Sequence, residues 1–279
     1  VAAFMAAAAH ISDIGGRLYE FDARDVYEEG LRIPPSKLFE EGRRNHQLFS
    51  LLEANTRYPR MVIGDVEAIV GAFRVGAQRY QELDGDYRPG DMDRVAEEIL
   101  GRSETAMRQA IQRVPNGHYH HTVQADGYKQ PTTIQAQIVV EEDSIRIDYS
   151  GSSDQRDDAS INCVMNNTFA HTIYPLKCSL VPDLPNNEGL FRPISAVAPE
   201  GSILNARFPA PVKARSKTSY HVHNAIYGAL AQVLPTAVQA GSGSFWSIKC
   251  FGRDESGTPF AVHVLPNGGK GAVDGLDGL

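Results

Sequence analysis

The sequence predicts an α+β fold, and two changes of pattern along the chain carry the prediction. Between residues 45 and 114 apolar residues recur at spacings of three and four, the period of helices with one face on a core. From Pro115 the spacing drops to two, in short runs separated by turn residues, which is the pattern of an antiparallel meander. Residues 151–279 then mix apolar helical stretches with segments punctuated by glycine and proline. The chain falls into three stretches, 1–114, 115–150 and 151–279, and 279 residues suffice for one large domain or two ordinary ones.

The elements follow in order. VAAFMAAAAH is a short continuous apolar run and predicts a buried strand ending at His10. DIGG turns, and the stretch through YEEGLRIPPSK is a loop, because Pro34 and Pro35 exclude regular helix there. Asn45 is placed to cap a helix with Leu48, Phe49, Leu51 and Leu52 on its apolar side. A longer helix is expected after Gly64 and Asp65, where Val66, Ile69, Val70, Phe73, Ala77 and Tyr80 form one stripe. Residues 91–114 predict one or two helices interrupted near Gly101, with Ser103 capping the second. In the meander, Ile134, Ala136 and Ile138 share a face, as do Ile145, Ile147 and Tyr149. INCVMNNTFAHTIYPLKCSLV begins as a helix that Pro175 kinks or ends, and TSYHVHNAIYGALAQVL is a buried helix. Short strands are expected in the Gly-rich last part.

Composition excludes several classes. The net charge of −7 and the lack of a basic stretch argue against nucleic-acid binding. No run of 18 apolar residues is present to span a membrane, and VAAFMAAAA lacks the basic start of a signal peptide. Cys163, Cys178 and Cys250 are odd in number and form no CxxC pair, which suits free thiols in a reducing cytoplasm. Neither a phosphate-cradling GxxxxGK[ST] loop nor a GxGxxG turn occurs, so no nucleotide site is visible in the chain itself.

Several residues carry chemistry. His10 and Asp13, leading into Gly15 and Gly16, are groups that suit a divalent transition metal; a hydrogen bond securing the turn is the alternative. His221 and His223 stand two apart on an expected helix, so they point in different directions; they either take separate roles, lining a pocket or an interface, or sit at a polar surface at the helix start. His118, His120 and His121 read as an exposed hairpin. Glu29 and Arg32 belong to a charged loop that either lines a pocket or is solvated. Arg215, Lys217 and Thr218 precede a helix and either hold an anion or form an interface ion pair.

The segments HISDIGG, YEEGLRIPPSKLFEEGRRN, LPNNEGLFRPISAVAPEGSILNARFPAPVKAR and AIYGALAQVLP resemble the hydantoinase B/oxoprolinase family, in the same order over essentially the whole chain. That family includes N-methylhydantoinase B subunits, the C-terminal half of 5-oxoprolinases, caprolactamase, and subunits of acetone and acetophenone carboxylases. By this resemblance His10 matches the family's metal histidine and Asp13 the aspartate of its D-I/V-G-G motif. Many relatives carry a second histidine where this chain has Ile11, and that role does not transfer. Family members also carry upstream NDP-type and T-H-x-x-D-type segments and continue past the GG-x-GA…DG region. The sequence is therefore expected to be the central part of a longer subunit.

The resemblance implies a cytoplasmic, two-component, ATP-dependent system that assembles as a homo- and hetero-oligomer. A hydantoinase A-type partner binds ATP and phosphorylates the lactam or carbonyl oxygen, since a ring amide is a poor electrophile. The B-type subunit holds a divalent ion (Mn, Zn or Fe) that lowers the pKa of the attacking water. Opening of a hydantoin, oxoproline or lactam ring is the leading reading. A carboxylase acting on acetone or acetophenone is the second, and a non-catalytic structural subunit the third.

Overall fold

The computed structural model describes residues 3–8, 11, 13, 15–16, 21–88, 90–243, 246 and 248–278. The chain divides into two compact units, one made of residues 1–19, 27–95 and 249–263, the other of 20–26, 96–248 and 264–279.

In the first unit two short strands, β1 (Phe39–Glu40) and β2 (Arg43–Arg44), form a hairpin before helix α1 (His46–Ala54). Asn45 caps α1 as expected, its Oδ1 accepting from the Leu48 N–H at 3.2 Å. Leu48 and Phe49 are buried, whereas Leu51, counted on the same apolar side, is exposed. Helix α2 (Pro59–Gly85) begins five residues before the Gly64 expected from periodicity. Pro59 explains the difference: its fixed φ suits the first helical turn, where its missing N–H costs nothing. Phe49 anchors α1 through an edge-on contact with Phe39 at 5.9 Å and a stack under the Arg44 guanidinium at 4.3 Å. Arg44 also pairs with Glu67 of α2. Strands β7 (Ile248–Arg253) and β8 (Pro259–Val264) form a separate two-stranded sheet.

The opening apolar run is a correction. Residues 3–8 form no strand and are exposed, with Phe4 91% accessible. An alanine-rich run has weak strand propensity and too little side chain to bury. Its last position, His10, lies outside the described residues.

In the second unit, helix α3 (Asp91–Ile111, its first residues counted with the other unit) leads into strands β3 (Gly117–Tyr128), β4 (Gln130–Glu141) and β5 (Ser144–Asp148). Helix α3 is continuous, which corrects the break expected near Gly101. A glycine costs a helix about 1 kcal/mol relative to alanine, too little to interrupt 21 residues packed by Met107, Ala110 and Ile111. Ser103 is not a cap; it is buried inside the helix and accepts from Asn187 Nδ2 at 2.7 Å.

The meander forms as read. β3, β4 and β5 pair antiparallel, and Ile134, Ala136, Ile138, Ile145, Ile147 and Tyr149 are all buried. After helices α4 (Met165–Leu180) and α5 (Glu188–Phe191), strand β6 (Ile194–Val197) returns parallel to β5, giving the order β3-β4-β5-β6. Helix α6 (Ser216–Leu230) lies on β3 and β4 and packs beside α4. Its Val222, Ala225, Ile226, Ala229 and Leu230 complete the core. Pro175 neither ends α4 nor unseats it: the proline is buried within the helix, which continues to Leu180. Buried Asn162 ties the irregular connection together, accepting from Arg156 N–H at 2.7 Å and donating to the carbonyls of Arg156 and Pro211, each at 2.8 Å. Among the described residues no helix is long and apolar enough to cross a membrane.

Candidate functional site

Two constellations carry chemistry, one in each unit. In the first unit the DIGG segment wraps around a buried carboxylate. Asp13 is 1% exposed, and its Oδ1 accepts from the Gly15 N–H at 3.0 Å, closing a tight turn on itself. Arg57, just past α1, supplies the other donors. Its guanidinium reaches Oδ1 at 3.0 Å, its own N–H bonds Oδ2, and a second guanidinium nitrogen holds the Gly16 carbonyl at 2.7 Å.

Glycine is required at both following positions. Gly15 and Gly16 have φ of 77° and 65°. A Cβ on Gly15 would lie 2.7 Å from the Asn55 carbonyl, and one on Gly16 2.7 Å from the Gly30 nitrogen. The turn is thus clasped between the end of α1 and the segment 28–30. Glu29 is buried in that segment, and Arg32 lies with its guanidinium 5.3 Å from the Tyr27 ring.

Asp13 is a carboxylate of the right chemistry for a metal, but most of it is already committed. A carboxylate offers about four lone-pair positions. Three are used by Gly15 and Arg57, and the guanidinium supplies positive charge on the same side. The residues fit a group that shapes the turn next to an ion, with one position on Oδ2 left for direct contact. His10, its partner in the expected pair, lies outside the described residues.

In the second unit α4 and α6 bring together imidazoles 52 residues apart. His171 Nδ1 and His223 Nε2 are 2.8 Å apart, with ring centroids at 4.8 Å. Tyr174 stands 5.1 Å from the His223 ring, and Tyr220 6.4 Å from it. Burial, helped by His171, pushes the pKa of His223 down to about 4. Burial, with the Arg215 charge, lowers His171 as well. At neutral pH the two rings are therefore an uncharged, hydrogen-bonded pair. Burial, with Cys178 and Tyr174 as neighbours, raises Tyr227 to about 12.

On α6, His223 meets His171 while His221 has other neighbours. His221 faces Tyr220 edge-on at 5.8 Å, and its Nδ1 is buried with no hydrogen-bond partner among the described residues. Arg215 is exposed immediately before α6, while Thr218 is buried in the first turn. Among the described residues no group of three His, Cys, Asp or Glu has the arrangement to hold a metal.

Sequence reading missed Arg57, His171, Tyr174 and Cys178. The last three stand at spacings of three and four, one face of α4, and that signal was available. Arg57 gives no local signal, because its partner lies 44 residues away.

This architecture has solved counterparts. The fold matches the crystal structure of the ATP-dependent caprolactamase from Pseudomonas jessenii with a TM-score of 0.87 and 29% identity, over 97% of this chain and 48% of that one. An acetone carboxylase in its nucleotide-free form shares the fold at a TM-score of 0.83, with 16% identity over 97% of this chain and 39% of that one. The chain belongs to the hydantoinase B/oxoprolinase family, whose model matches residues 1–279. Among curated relatives, the B subunit of a "Putative D-/L-hydantoinase" from Pseudomonas sp. (strain NS671) is 34% identical over 99% of this chain and 50% of its own length. The beta subunit of the Pseudomonas jessenii caprolactamase is 30% identical, over 96% and 48%. The chain spans about half the length of these relatives.

Proposed function

We propose that the chain is part of the metal-bearing subunit of an ATP-dependent cyclic amidohydrolase, acting with a hydantoinase A-type partner that binds ATP. One observation carries the reading: the relatives that match nearly the whole chain at 30% identity or more include a hydantoinase B subunit and a caprolactamase beta subunit, both named for ring amides. The likeness to acetone carboxylase is one of fold and does not favour a ketone substrate.

In this reading His10 and Asp13 hold the ion, Asp13 chiefly by fixing the turn that carries it. When bound, the ion would supply a Lewis acid and a water of lowered pKa. The contributions of the chain's own residues are distinct. Arg57 holds the Asp13 carboxylate in place, and Gly15 and Gly16 let the turn close against Asn55 and the segment 28–30.

The experiment is to purify the full-length protein with its hydantoinase A-type partner and supply ATP with hydantoin, 5-oxoproline or ε-caprolactam. ATP-dependent ring opening and a stoichiometric divalent ion are the expected results. ATP turnover that requires bicarbonate and a ketone would replace the amidohydrolase reading with the carboxylase one. A complex with neither metal nor turnover would leave a structural subunit.

A further inference from the structure

Thr56 lies between the two contacts that the segment after α1 makes with the DIGG turn. On one side of it in the chain, the Asn55 carbonyl lies 2.7 Å from where a Cβ on Gly15 would stand. On the other, the Arg57 N–H donates to Asp13 Oδ2. The Thr56 hydroxyl takes part in neither contact. Its Oγ1 is buried and has no hydrogen-bond partner among the described residues.

That orientation runs against solvation. Thr56 is half-buried, so the surface it keeps in water belongs to its other atoms, while its polar side-chain atom is turned inward. A hydroxyl so placed gives up its hydration and gains no bond in return. Rotation about χ1 would carry it to another staggered position. The inward position is explained if the hydroxyl bonds something the site holds.

Asp13 supplies the second half of such a contact. A short run of covalent bonds keeps Thr56 Oγ1 within about 5 Å of the Arg57 nitrogen. That nitrogen touches Asp13 Oδ2, the oxygen with a lone-pair position left over from Gly15 and Arg57. Two hydrogen bonds through one shared oxygen span about 5–6 Å. We propose that Thr56 is a positioning residue of this site: its hydroxyl and Asp13 Oδ2 hold one water between them, and that water joins the turn to the divalent ion. The water donates one proton to each oxygen, which leaves its lone pairs for the cation. The proposal rests on the metal-bearing reading for the ion and adds the residue that fixes its water.

The test reads metal affinity rather than turnover. The full-length protein, stripped of metal, is titrated with Mn²⁺, the free ion being counted by electron paramagnetic resonance, and separately with Zn²⁺ against a chelator. The parent should bind a stoichiometric ion. Thr56→Val, which keeps the shape and loses the acceptor, should weaken it about ten- to a hundredfold, and Thr56→Ser should stay within about threefold of the parent. Without metal, the thermal midpoint of Thr56→Val should equal or exceed the parent's, because the hydroxyl bonds no described protein group. Undiminished affinity in Thr56→Val, or a serine variant as weak as the valine one, overturns the proposal. So does a Thr56→Val protein that unfolds more readily without metal, since the hydroxyl would then be holding the fold. A parent that binds neither ion overturns both this proposal and the metal-bearing reading. Ring opening by the ATP-supplied complex, with ion binding indifferent to Thr56, sinks this role and leaves the amidohydrolase standing. Ion binding that depends on Thr56, without any ATP-dependent ring opening, does the reverse.

Discussion

Arg57 donates to both oxygens of a carboxylate that is itself out of water, so its removal strands Asp13 as a buried charge. Arg57→Ala is expected to cost about 2–3 kcal/mol, less than a fully buried pair because the guanidinium is half exposed; a urea titration measures it. Arg57→Lys should not restore the loss. One ammonium cannot span Asp13 and the Gly16 carbonyl as the planar guanidinium does. The His171–His223 pair makes a pH prediction. Both pKa values are lowered in the folded chain, so below about 6.5 the unfolded chain binds more protons than the folded one. The pair's stabilisation is therefore full above that pH and is lost as pH falls towards about 4. The groups facing it, Tyr174 on α4, Tyr220 on α6 and the Arg215 cation, offer no carboxylate to reverse the sign. Between pH 7 and 4.5 the parent should lose about 2 kcal/mol more than His223→Asn, read from urea midpoints at the two pH values.

Among the elements, α3 and α5 meet at a point with no spare room. A Cβ on Gly189 would lie 2.0 Å from the Leu100 carbonyl oxygen, and a backbone atom cannot swing aside as a side chain can. Gly189→Ala should destabilise by about 1–3 kcal/mol through overpacking, although alanine is the better helix former; thermal melting compares the two. Elements with strong periodicity were legible in the sequence: the meander, α1 with its Asn45 cap, and α6. The failures have opposite causes. The break expected at Gly101 weighed local propensity alone, whereas neighbouring packing held α3 together; the strand expected before His10 rested on apolar continuity and ignored the weak strand propensity of alanine, and no strand forms over residues 3–8.

For the molecule as a whole, the lack of a phosphate-cradling loop in residues 1–279 predicts that this chain alone shows no tight ATP binding by calorimetry. ATP consumption should appear only when a hydantoinase A-type partner is added. Tight binding by the protein alone would place the nucleotide on the wrong component and undo the two-component reading.

What the sequence determined by itself was the α+β class, the β3–β5 meander, helices α1 and α6, the DIGG turn and the family, because these are written in short-range periodicity, turn residues and contiguous motifs. Of the candidate site residues it reached Asp13, His221 and His223 but not what each of them touches. Only the tertiary structure decided that Arg57 closes on Asp13, that His171 meets His223, and that Asn224, His121 and Asp274 border one pocket. Those pairings join residues distant in the chain, and no local spacing encodes them. The last two follow from how α4, α6 and β3 pack together, and the first from the segment after α1 lying against the DIGG turn.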